Sequence, residues 1–258
     1  MKHPSIDAML ENGILKKQIQ GRSKATIYLN NKSSLNDYLQ NHFGIEDLET
    51  YTAFEKKGDT SRAEAIEISS NSKLKSIRTF KGFLVNSYAP IECQLNNQPI
   101  IIQPKEGTFT FIYDYENFIP SADITIVGIE NPENFRHIQK QQKLFEDISP
   151  LFVSRYPQNK DLIRWLTFIP NFYLHFGDFD FAGINIYWNE YKKHLQQRAV
   201  FFLPKGIEEL ISKNGNRELY NNQILQINIK AIDEKNVLNL IKLIEKYKKG
   251  LEQELLAK

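Results

Sequence analysis

Asp178 and Asp180 stand one residue apart in the string Gly177-Asp-Phe-Asp-Phe-Ala-Gly183, and Glu130 follows the apolar string Ile124-Thr-Ile-Val-Gly-Ile129. On an extended backbone, residues two apart point the same way, so the two aspartates can face one point in space. Carboxylates held that close repel unless a cation joins them. Oxygen-only donors suit Mg²⁺, with Mn²⁺ as a substitute; such an ion keeps waters, uses few protein carboxylates and takes phosphate at its other positions. Its chemistry is phosphodiester cleavage, through charge neutralisation and an activated water. The ordinary roles of the same residues are structural. A glutamate favours a helix N-terminus electrostatically, and an Asp-x-Asp pair in a turn is usually a cap or a loop bond. The joint placement, each acid after an apolar strand and before a helix, tips the reading toward chemistry.

The elements that must position these acids are legible as changes of period. Residues 172–176 are an apolar run of strand length, after which Ile184, Trp188, Tyr191 and Leu195 fall on one helical face. The same grammar runs from residue 124 onward. Strands are expected at 124–129, 151–156, 172–176 and 199–203. Helices are expected after Asn131-Pro132, through Leu162, Trp165, Leu166 and Ile169, and at 184–195, 208–212 and 219–225. Asp233 is expected to cap a last helix carrying Val237, Leu240, Ile241, Ile244, Leu251 and Leu255 on one side. Alternating strands and helices argue a parallel sheet covered on both faces, and in such sheets ligands bind outside the carboxyl ends of the strands. If the strands ending at Glu130 and Asp178 are parallel neighbours, all three acids meet at one sheet edge.

The first half reads differently. A short helix through Ile6, Met9, Leu10 and Ile14, a strand at 25–29 and a helix capped by Ser34 suggest a small winged-helix unit. A helix at 63–74 and strands at 82–86, 91–95, 99–103 and 108–113 follow. Asn96-Asn97 and Lys105-Glu106-Gly107 are the turn signals, and the alternating Phe109, Phe111 and Tyr113 are expected to face the core. Lys73, Lys75, Arg78 and Lys81 cluster before these strands. They are either a solvated helix end or a patch that contacts DNA phosphates. We expect two domains, an α+β unit over 1–118 and an α/β unit over 119–258.

These strings resemble a Toprim domain, whose signature is a strand-terminal glutamate and an Asp-x-Asp strand end. The Glu130-Asn131 pair, the Gly-Asp-x-Asp-x-x-Gly string and Leu251-Glu-Gln-Glu254 look most like JetD, the nuclease subunit of Wadjet-type plasmid-defence systems. More distantly they resemble the A subunit of topoisomerase VI and its Spo11 relatives, where a winged-helix domain precedes the Toprim domain. The resemblance covers residues 120–258 well and the first half loosely. It implies a Mg²⁺-dependent DNA endonuclease in prokaryotic defence, with Glu130, Asp178 and Asp180 as metal ligands and catalytic residues. It also implies DNA as substrate, a homodimer and an SMC-like motor complex as partner. The alternatives are cleavage through a tyrosine, as in topoisomerase VI, with Tyr28, Tyr38, Tyr51 and Tyr88 as the first-half candidates, or a non-catalytic DNA-binding subunit of the same fold. Phe181 stands where these relatives carry proline, which removes no ligand. In the JetD-like reading the terminal motif with Glu252 and Glu254 returns near the site.

Composition narrows the setting. The 258 residues are 41% hydrophobic and 25% charged with a net charge of +2, so any surface for nucleic acid has to be local. The lone Cys93 excludes an internal disulfide and a multi-cysteine zinc site. With no apolar signal core at the start and no run of about 18 apolar residues, a soluble cytoplasmic protein is expected. The remaining polar candidates read as structural or solvated. His175 is expected to point away from Asp178 as a buried histidine, His137 and His194 to lie on helix surfaces, and Lys205 to sit in a loop within reach of a phosphate.

Overall fold

The computed structural model describes residues 3–21, 24–56, 80–156 and 160–257, and the chain divides into two units, Met1–Thr79 and Phe80–Lys258. The first unit opens with helix α1 (Pro4–Glu11), with proline in its permitted first turn. Strands β1 (Leu15–Gln20) and β2 (Lys24–Leu29) then form an antiparallel hairpin. Helices α2 (Lys32–Phe43) and α3 (Leu48–Lys56) follow. The cap of α2 is Asn31, whose side chain accepts from the Ser33 and Ser34 amides; Ser34, expected as the cap, lies inside the helix. Gly44 ends α2 in the left-handed conformation at φ 66°. Among the described residues of this unit, Ile14, Leu39, Ile45 and Phe54 are the buried apolar ones. The expected helix at 63–74, with Lys73, Lys75 and Arg78, lies outside the described residues.

The second unit begins with β3 (Phe83–Ser87), then β4 (Ile91–Leu95) and β5 (Gln98–Ile102). Asn96 and Asn97, at φ 53° and 62°, make the tight turn between β4 and β5 that their type implies. Strands β6 (Thr110–Ile112), β7 (Phe118–Pro120), β8 (Thr125–Ile129), β9 (Pro150–Ser154), β10 (Tyr173–Phe176) and β11 (Ala199–Phe201) complete the set. The six-stranded sheet has the order β11-β10-β8-β9-β3-β6. Strands β11, β10, β8 and β9 are mutually parallel, and β3 and β6 add antiparallel at one end. The sheet is therefore mixed, where periodicity alone predicts a parallel one. A smaller sheet has the order β5-β4-β7.

The helices are α4 (Pro132–Arg136), α5 (Asp161–Phe168), α6 (Phe181–Ile186), α7 (Ile207–Asn214), α8 (Arg217–Asn222) and α9 (Lys235–Tyr247). After α6 the chain stays helical through a π-turn stretch, Tyr187–Lys192. Every residue of β9 is buried, and β8 is buried from Ile126 on, as strands covered on both faces must be.

Three differences from the sequence reading have plain causes. The expected boundary near residue 118 falls inside the second unit, because β3 pairs with β9 and so ties the hairpin-rich segment into the α/β sheet. The change of grammar there marks a change of local topology. In β6, Ile112 is buried, while Phe111 and Tyr113 are 37% and 72% exposed and Phe109 just before it is 48% exposed. Alternation defines two faces but not which one is inside, and an edge strand pairs on one side only. Finally, α9 stops at Tyr247, where Lys248 turns left-handed at φ 53°. Leu251 and Leu255 thus leave the helix, and Asp233 does not cap it. The residue at the cap position is Glu234, whose carboxylate instead accepts from the Phe201 amide and the Tyr187 hydroxyl. No described helix is long and apolar enough to cross a membrane.

Candidate metal centre

Strands β8 and β9 are consecutive, yet β10 crosses over to the opposite side of β8. The chain leaving β8 therefore runs one way and the chain leaving β10 runs the other. That divergence opens a crevice at their carboxyl ends, the place where open α/β sheets bind ligands. Ile129 is level with Phe176, and the Glu130 amide donates to the Phe176 carbonyl at 3.0 Å. Glu130 thus stands at the crevice from one side, and Asp178 and Asp180 from the other.

The two aspartates are held differently. Asp178 is partly buried and accepts the Gln253 amide on Oδ1 at 2.8 Å. Burial raises its pKa to about 7; the Gln253 amide works against this, and the charges of Glu130, Asp180 and Glu254 add to it. Asp180 is 3% exposed and caps α6, accepting the Gly183 amide on Oδ1 at 2.8 Å and the Gln223 side chain on Oδ2 at 2.8 Å. Burial also raises the Asp180 pKa, against those two hydrogen bonds and with the help of Glu130. The capping role weighed for the pair thus falls to Asp180. Gly183 is needed for close approach, since a Cβ there would lie 2.2 Å from the Asp178 carbonyl oxygen.

The terminal motif returns to the site as backbone and side-chain clamp. Leu251 bridges to Phe179 with reciprocal hydrogen bonds of 2.9 and 3.1 Å. Gln253, fully buried, accepts the Asn131 amide at 3.1 Å and donates to the Phe176 carbonyl at 3.0 Å. Its own carbonyl accepts from the Asn134 side chain at 2.9 Å. Glu254 accepts from the Asn131 side chain, and Glu252 is exposed. One residue thus ties the ends of β8 and β10 together. Gln253→Ala leaves the Asn131 amide without this partner and takes from the Phe176 carbonyl the second of its two donors, so a loss of about 1–3 kcal/mol is expected in urea unfolding. A loss below about 0.5 kcal/mol would refute the clamp.

Arg155, directly after β9, is the cation of the site. Its guanidinium binds Glu190 bidentately, with Nη2 at 2.9 Å from both carboxylate oxygens, and its Nη1 lies 3.5 Å from Glu130 Oε1. Sequence reasoning missed it, although its position just past a buried strand matches that of Glu130. Beside it, a groove of about 680 Å³ runs between α5 and the π stretch, lined by Lys160, Arg164, Thr167, Asn189, Glu190 and His194. Tyr156, next to Arg155, is 59% exposed.

His137 pairs with Glu133 at 2.9 Å, and the exposed Lys205 pairs with Asp147 at 3.7 Å. Lys81 is exposed ahead of β3. The Tyr88 hydroxyl donates to the Ile138 carbonyl at 2.9 Å, and Tyr28 is exposed on β2. His175 is buried, as expected, but its Nε2 lies 3.5 Å from Glu130 Oε2. Among the described residues, no group of three or more His, Cys, Asp or Glu side chains is placed to hold a metal ion. A family model described as "Domain of unknown function (DUF7281)" matches residues 83–258. No curated protein matches the chain.

Proposed function

From a chain that belongs to the DUF7281 family, whose description carries no activity, we propose a Mg²⁺-dependent phosphodiester hydrolase acting on DNA, an endonuclease of Toprim type. The observation that supports the reading is that Glu130, Asp178 and Asp180 follow the carboxyl ends of β8 and β10, adjacent parallel strands at the switch point of the sheet. The donor set fits a hard divalent cation: all donors are oxygens, and the Asp178 carboxylate is burdened by three other negative charges that a cation would relieve. A group of three acids is not required, because Mg²⁺ takes one or two carboxylates and keeps its waters. Glu130 and Asp178 are the direct ligands in this reading, and Asp180, committed to Gly183 and Gln223, sets the loop and the local field.

When bound, the cation supplies neutralisation of the scissile phosphate and an acidified water. The chain's own groups do the rest. Gln253 fixes the two strand ends, so that Glu130 and Asp178 keep their relative position. Arg155, with Glu190 holding its fork, adds positive charge beside Glu130. The groove lined by Lys160, Arg164 and His194 also contains Glu190, the partner of Arg155, and its two cations are the contacts for a phosphate backbone in this reading. A double-strand break needs two such sites, hence a homodimer. A role in defence with an SMC-like motor is tested by the neighbouring genes.

The direct test is incubation of plasmid DNA with Mg²⁺ or Mn²⁺. Wild type should give free ends with no denaturation-resistant adduct, and the Glu130→Ala, Asp178→Asn, Asp180→Asn triple variant should give none. Full cleavage by that variant sinks the assignment. A covalent adduct lost in a Tyr28, Tyr38, Tyr51 or Tyr88→Phe variant replaces water by tyrosine as nucleophile. For the groove, Lys160→Glu with Arg164→Glu should weaken binding to all DNA sequences alike and lower the salt slope by about 1–2. An unchanged slope returns these cations to solvent.

A further inference from the structure

Two polar atoms buried beneath the site have no hydrogen-bond partner, Glu130 Oε2 and His175 Nε2, and they face each other at 3.5 Å. Buried polar atoms are rarely left unpaired, so this juxtaposition calls for a physical account. No bulk separates them, because Gly177 lies alongside. A Cβ at that position would sit 2.4 Å from Glu130 Oε2 and 2.7 Å from His175 Nε2.

The other ring nitrogen is held. The Tyr173 hydroxyl lies 3.1 Å from His175 Nδ1, and the Tyr191 ring stacks on the Tyr173 ring with centroids 4.9 Å apart. The ring is also enclosed by Tyr187, Tyr191 and Phe201, with centroids 5.2, 5.1 and 5.5 Å away. Tyr187 and Tyr191 both come from the π stretch, and such wide turns are frequent at functional sites. The same stretch supplies Glu190 to Arg155. Both neighbours of Glu130, Arg155 and His175, are thus fixed by one helix segment.

The direction of the protons follows from chemistry. A bare Nε2 facing a carboxylate would set two acceptors against each other. With the hydrogen on Nε2, the neutral ring leaves Nδ1 bare, which requires the Tyr173 O–H to donate to it. Nδ1 is then an acceptor matched to that hydroxyl.

We infer that His175 is a positioning residue for Glu130, held as its Nε2–H tautomer by the Tyr173 hydroxyl, so that Oε2 of the carboxylate is fixed while Oε1 lies against Arg155. This rests on the reading of Glu130 as a metal ligand. Residues that orient a ligand from behind typically change metal affinity 10–100-fold when lost. His175 itself, at 0% exposure, meets neither substrate nor water.

The first test does not depend on activity. Nitrogen-15 NMR of the histidine-labelled full chain without metal, at pH 8, reports the tautomer, with His175→Gln to assign the signals. A hydrogen on Nε2 that responds to Glu130→Gln is expected; a hydrogen on Nδ1 overturns the inference. The second test is Mg²⁺ calorimetry. His175→Phe should weaken binding by about 10–100-fold, and His175→Gln, which keeps a donor, should recover part of it. Wild-type affinity in His175→Phe, in a variant whose unfolding remains cooperative, also overturns it. If the wild type binds no Mg²⁺, the metal reading fails, and the tautomer measurement still decides the role of His175.

Discussion

Asp178→Asn is expected to abolish Mg²⁺-dependent cleavage, by at least about 10²–10³-fold, and at the same time to make the metal-free protein more stable at pH 8. The two effects share one cause. The folded site lifts the Asp178 pKa from 3.8 to about 7 through burial and the charges of Glu130, Asp180 and Glu254. The folded state therefore holds this proton more tightly than the unfolded chain. Its contribution to stability is greatest at low pH, falls as pH rises from about 4 to about 7, and stays low above that. An asparagine carries no charge and can keep the hydrogen bond from the Gln253 amide. After discounting for partial exposure, the gain at pH 8 is about 2 kcal/mol, or a rise of roughly 5 °C in the melting midpoint. Metal-free wild type should thus gain on the variant as pH falls from 8 to 5, and saturating Mg²⁺ should stabilise wild type far more than the variant. A variant that melts below wild type at pH 8 and cleaves normally would show that Asp178 is a structural acid.

The second large effect is expected from one methyl group. Gly177→Ala places a Cβ within 2.4 Å of Glu130 Oε2 and 2.7 Å of His175 Nε2, both buried. Gly177 is not among the positive-φ residues, so the backbone tolerates alanine there and the conflict is one of volume. Glu130 and His175 must move apart, since β10 is fixed on both sides by β8 and β11. We expect a loss of about 1–3 kcal/mol in stability from overpacking, with cleavage and Mg²⁺ affinity reduced more than tenfold. Gly183→Ala meets the Asp178 backbone at 2.2 Å and should act on the aspartate loop in the same way. Calorimetric Mg²⁺ binding beside urea unfolding checks both, and wild-type affinity in Gly177→Ala would exclude a tight Glu130–His175 contact.

Much of this site was legible in the sequence, because its parts are local. The runs now seen as β8, β9, β10 and β11 are apolar, short and followed by helical periodicity, which marks strands buried on both faces. Acids placed just past two such runs had to lie at strand ends, whatever the sheet order. The Asn96-Asn97 turn was legible for the same reason, since residue type decides a tight turn within a few atoms.

What the tertiary structure alone decided is which distant pieces meet. That β10 pairs with β8 rather than β9 determines that Glu130 and Asp178 share a crevice, and no local period encodes that pairing. The face of β6 that turns outward depends on its edge position, so Phe111 and Tyr113 are exposed despite their alternation. Gln253 was invisible because a polar residue ordinarily reads as solvated; it is buried only because the β8 and β10 ends each offer it a partner. His175 gave the same difficulty from the other side. Its burial followed from the strand that carries it, but its tie to Glu130 depends on the absent side chain of Gly177 and on Tyr187 and Tyr191 arriving from the π stretch to enclose its ring. Side-chain type and period fix a residue's element and burial, whereas contact across the sheet depends on strand order and close approach, which are properties of the whole packed unit.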